Sequence, residues 1–184
     1  SPTPDQILAA IEAVSGDAGA LLIVKNYEGD IMHFEMAAEM ASGRVATVVT
    51  DDDVAVETST HSTGRRGVAG TLVVERILGA AAERGMDLDG LAALGREVNA
   101  RTRSMGVALS SCIVPAAGTP TFTLAENEIE MGVGIHGEPG RKRVPIASAD
   151  AIAEELLSSV LDDLAPQPGS PVLLLVTGFG GTPS

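Results

Sequence analysis

The fold is decided by the stretch Leu21-Leu22-Ile23-Val24-Lys25-Asn26-Tyr27-Glu28-Gly29-Asp30. Its four leading apolar residues form a continuous run, which is typical of a strand covered on both faces. The next residues indicate a turn, and from about Asp30 apolar residues recur at helical spacing. A strand followed by a turn and a helix predicts an α/β fold, a layered sheet with flanking helices.

The surrounding sequence extends this pattern. Upstream, Thr3-Pro4-Asp5-Gln6 predicts a helix start, with Thr as N-cap, Pro at the first helical position and Gln three residues after the cap. Downstream, Val45 to Val49 predicts a second buried strand. Helices are expected at about residues 71–84 and 88–103. These elements form a first α/β domain over residues 1–104.

The second part of the chain has a different character. A third apolar strand is predicted at Met105 to Leu109, and short β-like segments follow at about residues 121–124 and 128–135. A helix is expected at about residues 148–164 and a strand at 171–176. Residues 105–184 are thus predicted to be the incomplete start of a second α/β domain. The helix that should follow a strand at 176 is missing, so we expect the chain to be part of a longer protein.

Composition excludes several partners. The formal net charge of -13 opposes binding to nucleic acid or to anionic lipid. The longest apolar run, Val172 to Val176, is too short to cross a bilayer, and no signal peptide opens the sequence. Cys112 is the single cysteine, so no internal disulfide is possible. These features favour a cytoplasmic protein.

One histidine stands in a glycine-rich segment that runs from Gly132 to Gly140. Glycines on both sides of His136 let a ligand approach the backbone closely, and neutral imidazole can add to a carbonyl carbon. Glu138 is placed to orient the second ring nitrogen. A solvent-exposed loop histidine without a role is the competing interpretation, and the spacing alone does not decide between them.

Polar residues bracket the end of the first predicted strand. Ligands of doubly wound sheets bind outside the carboxyl ends of the strands, where Lys25, Asn26 and Asp30 are expected. Lys25 and Asp30 are therefore candidates for contact with a polar ligand. The alternative for Asp30, favoured on spacing alone, is that it caps the helix beginning at Ile31.

The remaining candidates have stronger structural alternatives. Asp51-Asp52-Asp53 can hold Mg²⁺, but a solvated acidic loop is favoured. Arg65-Arg66 can clamp a phosphate, or pair internally with carboxylates. His33 and His61 are expected to be a partly exposed helix residue and a loop residue. No phosphate-binding glycine motif or zinc spacing is present, so no nucleotide or metal site is predicted.

Five motifs occur in order: Leu22 to Asp30, Asp51 to Val56, Gly64 to Thr71, Ser110 to Gly118 and Gly132 to Gly140. With them the chain resembles, over its whole length, the K subunit or K domain of dihydroxyacetone kinases. The resemblance implies that His136 forms a covalent hemiaminal with the substrate carbonyl. It also implies that Lys25 and Asp30 contact the bound triose, and that Asp30 helps to activate its hydroxyl.

The resemblance also implies partners. The family is homodimeric and receives its phosphate from a nucleotide-binding L subunit or domain. This partner uses ATP, or carries ADP recharged by a phosphotransferase-system protein, so no cofactor is expected in this chain. The family's upstream Ser-Gly-His-Glu-Pro motif, with a second catalytic histidine, does not occur here. We therefore expect the isolated chain to be inactive and not to bind ATP tightly.

Two other functions remain open from the sequence. Some relatives of this fold sense dihydroxyacetone and regulate transcription, and a kinase for a four-carbon ketose would carry the same motifs. The retention of both His136 and Asp30 favours the enzyme.

Overall fold

The computed structural model describes residues 1–56, 64–111, 113, 118–138 and 140–178. It divides into two compact units, Ser1–Asp53 with Glu57–Thr102 and Val54–Val56 with Arg103–Ser184. The sequence-based boundary after Ser104 assigned Val54–Val56 to the first domain, whereas the structure places them in the second unit. Both units combine helices and strands, and the predicted α/β class is confirmed.

The first unit is a layered α/β structure. Its elements are α1 (Pro4–Val14), β1 (Ala20–Lys25), α2 (Glu28–Met40), β2 (Val45–Thr50), α3 (Gly70–Glu83) and α4 (Leu88–Ala100). The two strands pair in parallel, in a register that runs from Ala20 opposite Val45 to Lys25 opposite Thr50. Their carboxyl ends therefore lie at the same edge of the sheet.

Local sequence explains where these helices begin. Thr3 Oγ1 accepts the backbone N–H of Gln6 at 3.4 Å, and Gln6 Oε1 accepts the backbone N–H of Thr3 at 3.0 Å. This reciprocal capping box confirms the predicted start of α1. Asp87 is the N-cap residue of α4, where a single bond is made: its carboxylate accepts the backbone N–H of Gly90 at 2.8 Å.

The sheet of the first unit is covered on both faces, as predicted. Because side chains alternate along a strand, Leu22 and Val24 pack with α1 and α2, while Leu21 and Ile23 belong to the cluster of α3 and α4. Gly95 lets α4 approach the sheet closely. A Cβ at this position would lie 2.7 Å from Val48 Cγ2 and 2.9 Å from Leu78 Cδ1.

The second unit has an antiparallel sheet. Its elements are β3 (Val107–Ala108), β4 (Glu128–Met131), β5 (Lys142–Pro145) and α5 (Ala149–Leu164), with strand order β3-β4-β5. The strand β5 was not predicted. Two of its four residues are charged, and the segment ends in Pro145, so its composition does not suggest a strand.

Two predicted strands are wrong. Residues 121–122 form a bend, and residues 123–124 and 171–176 have no regular structure. The apolar side chains of the latter are exposed, and Leu173 is 81% accessible. An apolar run becomes a strand only where a neighbouring strand pairs with its backbone, and no described strand pairs with this one.

Among the described residues, no helix is long and apolar enough to cross a membrane.

Candidate functional site

The described residues between β4 and β5, which are 132–138, 140 and 141, are called the His136 loop. Two backbone hydrogen bonds fold it: Gly134 N–H donates to the Glu138 carbonyl at 3.1 Å, and Gly137 N–H donates to the Gly134 carbonyl at 3.0 Å. Gly132 and Gly137 have φ values of +78° and +79°. Glycine adopts this left-handed backbone without strain, which accounts for glycine at these two positions.

Glu138 holds His136 at two points. One carboxylate oxygen, Oε1, lies 2.7 Å from the His136 Nδ1, and the other accepts the His136 backbone N–H at 3.0 Å. Glu138 is buried, whereas the His136 side chain is 59% exposed. The His136 ring is thus partly exposed to solvent, and the buried Glu138 carboxylate fixes its orientation.

The carboxylate also selects the tautomer of His136. Burial acts to raise the pKa of Glu138, but hydrogen bonds from the His136 ring and from backbone N–H groups outweigh it and lower that pKa below its ordinary value of 4.5. An ionised carboxylate only accepts hydrogen bonds, so Nδ1 must be the donor. In the neutral ring the lone pair is then on Nε2, which is the nucleophilic atom.

Lys25 and Asp30 lie at the carboxyl end of β1. Lys25 is the last residue of the strand, and Asp30 is in the first turn of α2. Both are partly buried. Within the described residues, neither the Lys25 ammonium nor the Asp30 carboxylate makes a hydrogen bond or an ion pair.

The structure also changes the interpretation of Asp30. The helix begins at Glu28, and Tyr27 is its N-cap residue, without a side-chain cap bond. Asp30 is the third helical residue, so the alternative that it caps a helix at Ile31 is wrong. A carboxylate in the first helical turn is stabilised by the positive end of the helix dipole.

Asn26 has a structural role. Its side-chain Nδ2 donates to the Arg65 carbonyl at 2.7 Å, and its backbone N–H donates to the Thr50 carbonyl at 3.0 Å. Gly67 packs at the same place, where a Cβ would meet Thr50 Oγ1 at 2.7 Å. The segment carrying Arg65 is therefore attached to the ends of β1 and β2.

The three consecutive aspartates are not a solvated loop, and this prediction is wrong. Asp52 and Asp53 are buried, and Asp52 accepts the backbone N–H groups of Val68 and Gly70 at the start of α3. Asp53 binds the buried Arg66, whose Nε lies 2.7 Å away.

For Arg65 and Arg66, the sequence left internal pairing with carboxylates as the alternative to phosphate binding. The pairing of Arg66 with Asp53 confirms this alternative for Arg66. No group of three potential metal ligands occurs in the described ranges.

The other histidines lie elsewhere. The His33 Nδ1 is 2.7 Å from the Pro2 carbonyl oxygen in the first unit. His61 and Cys112 fall outside the described residues. Of the predicted site residues, Lys25 and Asp30 belong to the first unit, and His136 belongs to the second.

The fold and the histidine-bearing glycine loop define a class of protein: the chain belongs to the Dak1 domain family, whose model matches residues 1–184. It is similar to the dihydroxyacetone-binding subunit of PTS-dependent dihydroxyacetone kinase 1 from Listeria innocua. The two are 52% identical over 186 residues, which is 100% of this chain and 56% of the Listeria subunit. The chain thus spans about half the length of this relative.

Two solved structures are similar as well. The crystal structure of the dihydroxyacetone kinase of C. freundii matches with a TM-score of 0.81 and 38% identity, over 92% of this chain and 31% of that one. A dihydroxyacetone kinase operon co-activator matches with the same TM-score and 33% identity, over 89% of this chain and 51% of that one. The resemblance found in the sequence is confirmed.

Proposed function

We propose that this chain is the triose-binding part of a dihydroxyacetone kinase, in which Nε2 of His136 adds to the substrate carbonyl. The observation that carries the proposal is the pairing of His136 Nδ1 with Glu138, which leaves the lone pair of the neutral ring on Nε2, in a side chain that is 59% exposed. The Listeria relative and the C. freundii structure are both named as dihydroxyacetone kinases or a subunit of one, which supports dihydroxyacetone as the substrate class.

The addition balances in atoms and charge. A bond forms between Nε2 and the carbonyl carbon, and the carbon–oxygen double bond becomes a single bond. The ring becomes positively charged during the addition, and the adjacent Glu138 carboxylate compensates this charge. The Nδ1 proton passes to solvent and the former carbonyl oxygen takes one proton from solvent, so the product is a neutral hemiaminal and no net proton is gained or lost. Glycerol, which has no carbonyl group, is excluded by this chemistry.

Lys25 and Asp30 complete the proposal. We assign Lys25 to contact with the oxygens of the bound triose. Asp30 accepts the proton of the hydroxyl that receives the phosphoryl group, a general-base role. The support is that both side chains are partly buried and make no polar contact within the described part of the chain.

The phosphoryl donor belongs to the proposal too. We assign it to a nucleotide-binding L subunit or domain that uses ATP, or ADP recharged by a phosphotransferase-system protein. The PTS-dependent name of the Listeria relative favours the second donor. A homodimer in the cytoplasm is part of the same proposal.

The test uses the full-length protein and dihydroxyacetone labelled with ¹³C at the carbonyl carbon. We expect a protein-bound tetrahedral carbon signal that differs from that of the free hydrate. It should disappear in His136→Ala and persist in His33→Ala, the matched control, whose imidazole is bonded to Pro2. A tetrahedral signal that survives in His136→Ala would refute the covalent role.

A second candidate function is a non-catalytic dihydroxyacetone-binding regulator. The similarity to the operon co-activator favours it, since that protein shares the fold at 33% identity. Both functions are compatible with a hemiaminal, and only the kinase requires turnover. Formation of dihydroxyacetone phosphate after addition of a phosphoryl-donor subunit supports the enzyme, and binding without turnover supports the regulator. A kinase for a four-carbon ketose is tested in the same assay with L-erythrulose in place of dihydroxyacetone.

A further inference from the structure

The base of the His136 loop contains a carboxylate that the proposed chemistry does not use. Glu130 lies in β4 and is 5% exposed. Its Oε1 accepts the backbone N–H of Gly140 at 2.9 Å, and its Oε2 accepts Nε of Arg143 at 2.8 Å. Arg143 is directly opposite Glu130 in the register of β4 and β5. Glu130 therefore connects the loop to the sheet that supports it.

We propose that Glu130 is a positioning residue that holds the His136 loop in its working geometry through Gly140. The effect of Glu130 on substrate binding rests on the proposed function. The effect of Glu130 on the orientation of the His136 ring does not, and it can be measured without substrate.

The geometry gives Gly140 little freedom. Next to it, the backbone N–H of Arg141 donates to the Met131 carbonyl at 2.6 Å. A Cβ on Gly140 would collide with the backbone of Met131. On the opposite side of the base, a Cβ on Gly132 would collide with Ala55. The two ends of the loop are thus close to β4, and the Glu130 bond fixes the returning end.

The path from Glu130 to the imidazole is short. Gly140 is two residues after Glu138, and Glu138 binds both the ring and the backbone N–H of His136. A displacement of Gly140 therefore moves the carboxylate that sets the tautomer and the orientation of the ring.

The chemical nature of Glu130 supports this role. A buried carboxylate is costly to desolvate, and well-packed apolar residues often replace buried ion pairs without loss of stability. Strand alternation would place an acidic residue between Ile129 and Met131 on a solvent-facing side, yet all three side chains are buried. An apolar residue would fill this position, but only an acceptor can bind the Gly140 N–H.

The test compares Glu130→Ala, Glu130→Gln and the matched control Glu128→Gln by NMR without substrate. Glu128 is in the same strand, and its carboxylate binds the Ala125 backbone N–H outside the loop. The readouts are the ¹⁵N shifts of the His136 ring at about pH 8, where an unperturbed imidazole is neutral, and amide exchange at Gly140.

We expect Glu130→Ala to increase Gly140 exchange about tenfold or more and to move the His136 shifts towards a mixture of tautomers. Glu130→Gln retains an acceptor oxygen, so its Gly140 exchange rate and His136 shifts should be close to those of the wild type. Glu128→Gln should leave both readouts unchanged. Unchanged His136 shifts in a folded Glu130→Ala protein would overturn the proposal.

If Glu130→Ala does not fold, the double variant Glu130→Met/Arg143→Met replaces it. This variant keeps the volume and leaves no charge unpaired. His136 shifts like those of the wild type would overturn the proposal here as well. Failure of the proposed function is seen separately, as the absence of a bound dihydroxyacetone signal in the wild-type protein.

Discussion

The carboxylate of Glu138 binds His136 through both of its oxygens, one to the ring at 2.7 Å and one to the backbone N–H at 3.0 Å. This two-point contact spans only two residues of sequence. It makes the orientation of the imidazole a property of the loop itself. One ring nitrogen, Nδ1, is held by Glu138, and the other, Nε2, is the atom to which the proposed addition is assigned.

Substitution of Glu138 should impair carbonyl binding without unfolding the protein. In Glu138→Gln the charge-assisted bond to Nδ1 becomes a neutral one, and the amide can also donate to the ring and stabilise the wrong tautomer. We expect dihydroxyacetone affinity to fall about 10- to 100-fold, in line with the usual ~1.5–3 kcal/mol of a hydrogen bond to a charged group. Titration calorimetry measures the effect, with the exposed Glu126→Gln as the control. Equal losses in both variants would contradict the prediction.

The contact should also be visible in the pH dependence of the loop. The pKa of Glu138 is lowered in the folded protein, so its contacts with His136 contribute stability that is fully present above the ordinary value of 4.5. That stability is lost as the pH falls through the lower, folded-state pKa. The Glu138 carboxyl ¹³C shift followed against pH should give a midpoint below 4.5. In His136→Ala the midpoint should move upwards, because burial then acts with fewer opposing hydrogen bonds. A midpoint that does not respond would refute the coupling.

Asp30 should affect turnover more than binding. Asp30→Asn removes the proposed base but leaves His136 and Lys25, so we expect kcat to fall by about 10²–10⁴-fold while dihydroxyacetone affinity changes little. Steady-state kinetics with the phosphoryl-donor subunit measure kcat, and calorimetry measures affinity. Glu35→Gln, on an exposed part of the same helix, is the control. An unchanged kcat with a raised KM would show that Asp30 only positions the substrate.

Local patterns were sufficient to predict much of the first unit. The cap formed by Thr3 and Gln6 and the buried strand β1 depend on residues a few positions apart, and both are present. The candidate site residues were also visible, because glycines around His136 and polar groups after β1 are local signals.

The rest depended on contacts between distant segments. Asp52 reaches the start of α3 and Asp53 binds Arg66, and nothing near them in the sequence indicates that they are buried. Glu130 alternates with Ile129 and Met131, a pattern typical of a solvent-facing strand position, yet it is buried. Its partner Arg143 is in a strand whose composition does not suggest a strand. A sequence pattern reports propensity, and these cases were decided by tertiary pairing.

The buried pair of Arg66 and Asp53 should matter far more than an exposed pair. Arg66→Ala leaves a buried carboxylate without its cation, which costs about 3–5 kcal/mol of unfolding free energy. The control is Arg44→Ala, which breaks the exposed pair with Asp89 and should cost about 1 kcal/mol or less. Urea denaturation gives both values. Similar midpoints for the two variants would contradict the expected difference.

Two helical glycines should respond to alanine with opposite signs. Gly95→Ala places a methyl group against Val48 and Leu78, and such overpacking costs about 1–3 kcal/mol. Gly79→Ala in α3 meets nothing within 4 Å and should gain up to about 1 kcal/mol from helix propensity. Thermal or urea unfolding of the two variants decides the matter, and a stabilising Gly95→Ala would show that α4 can move away from the sheet.

Tyr27, the N-cap residue of α2, is the single tyrosine of a chain without tryptophan. Its side chain is buried, and it lies between Lys25 and Asp30 in the sequence. The molecule therefore carries a built-in optical reporter at one end of its candidate site. In the 184-residue chain, tyrosine emission and the tyrosine band of the near-ultraviolet circular dichroism spectrum arise from this one position, and the band depends on fixed tertiary packing. Changes in these signals on addition of a ligand can be assigned to the surroundings of Tyr27 without introducing a label.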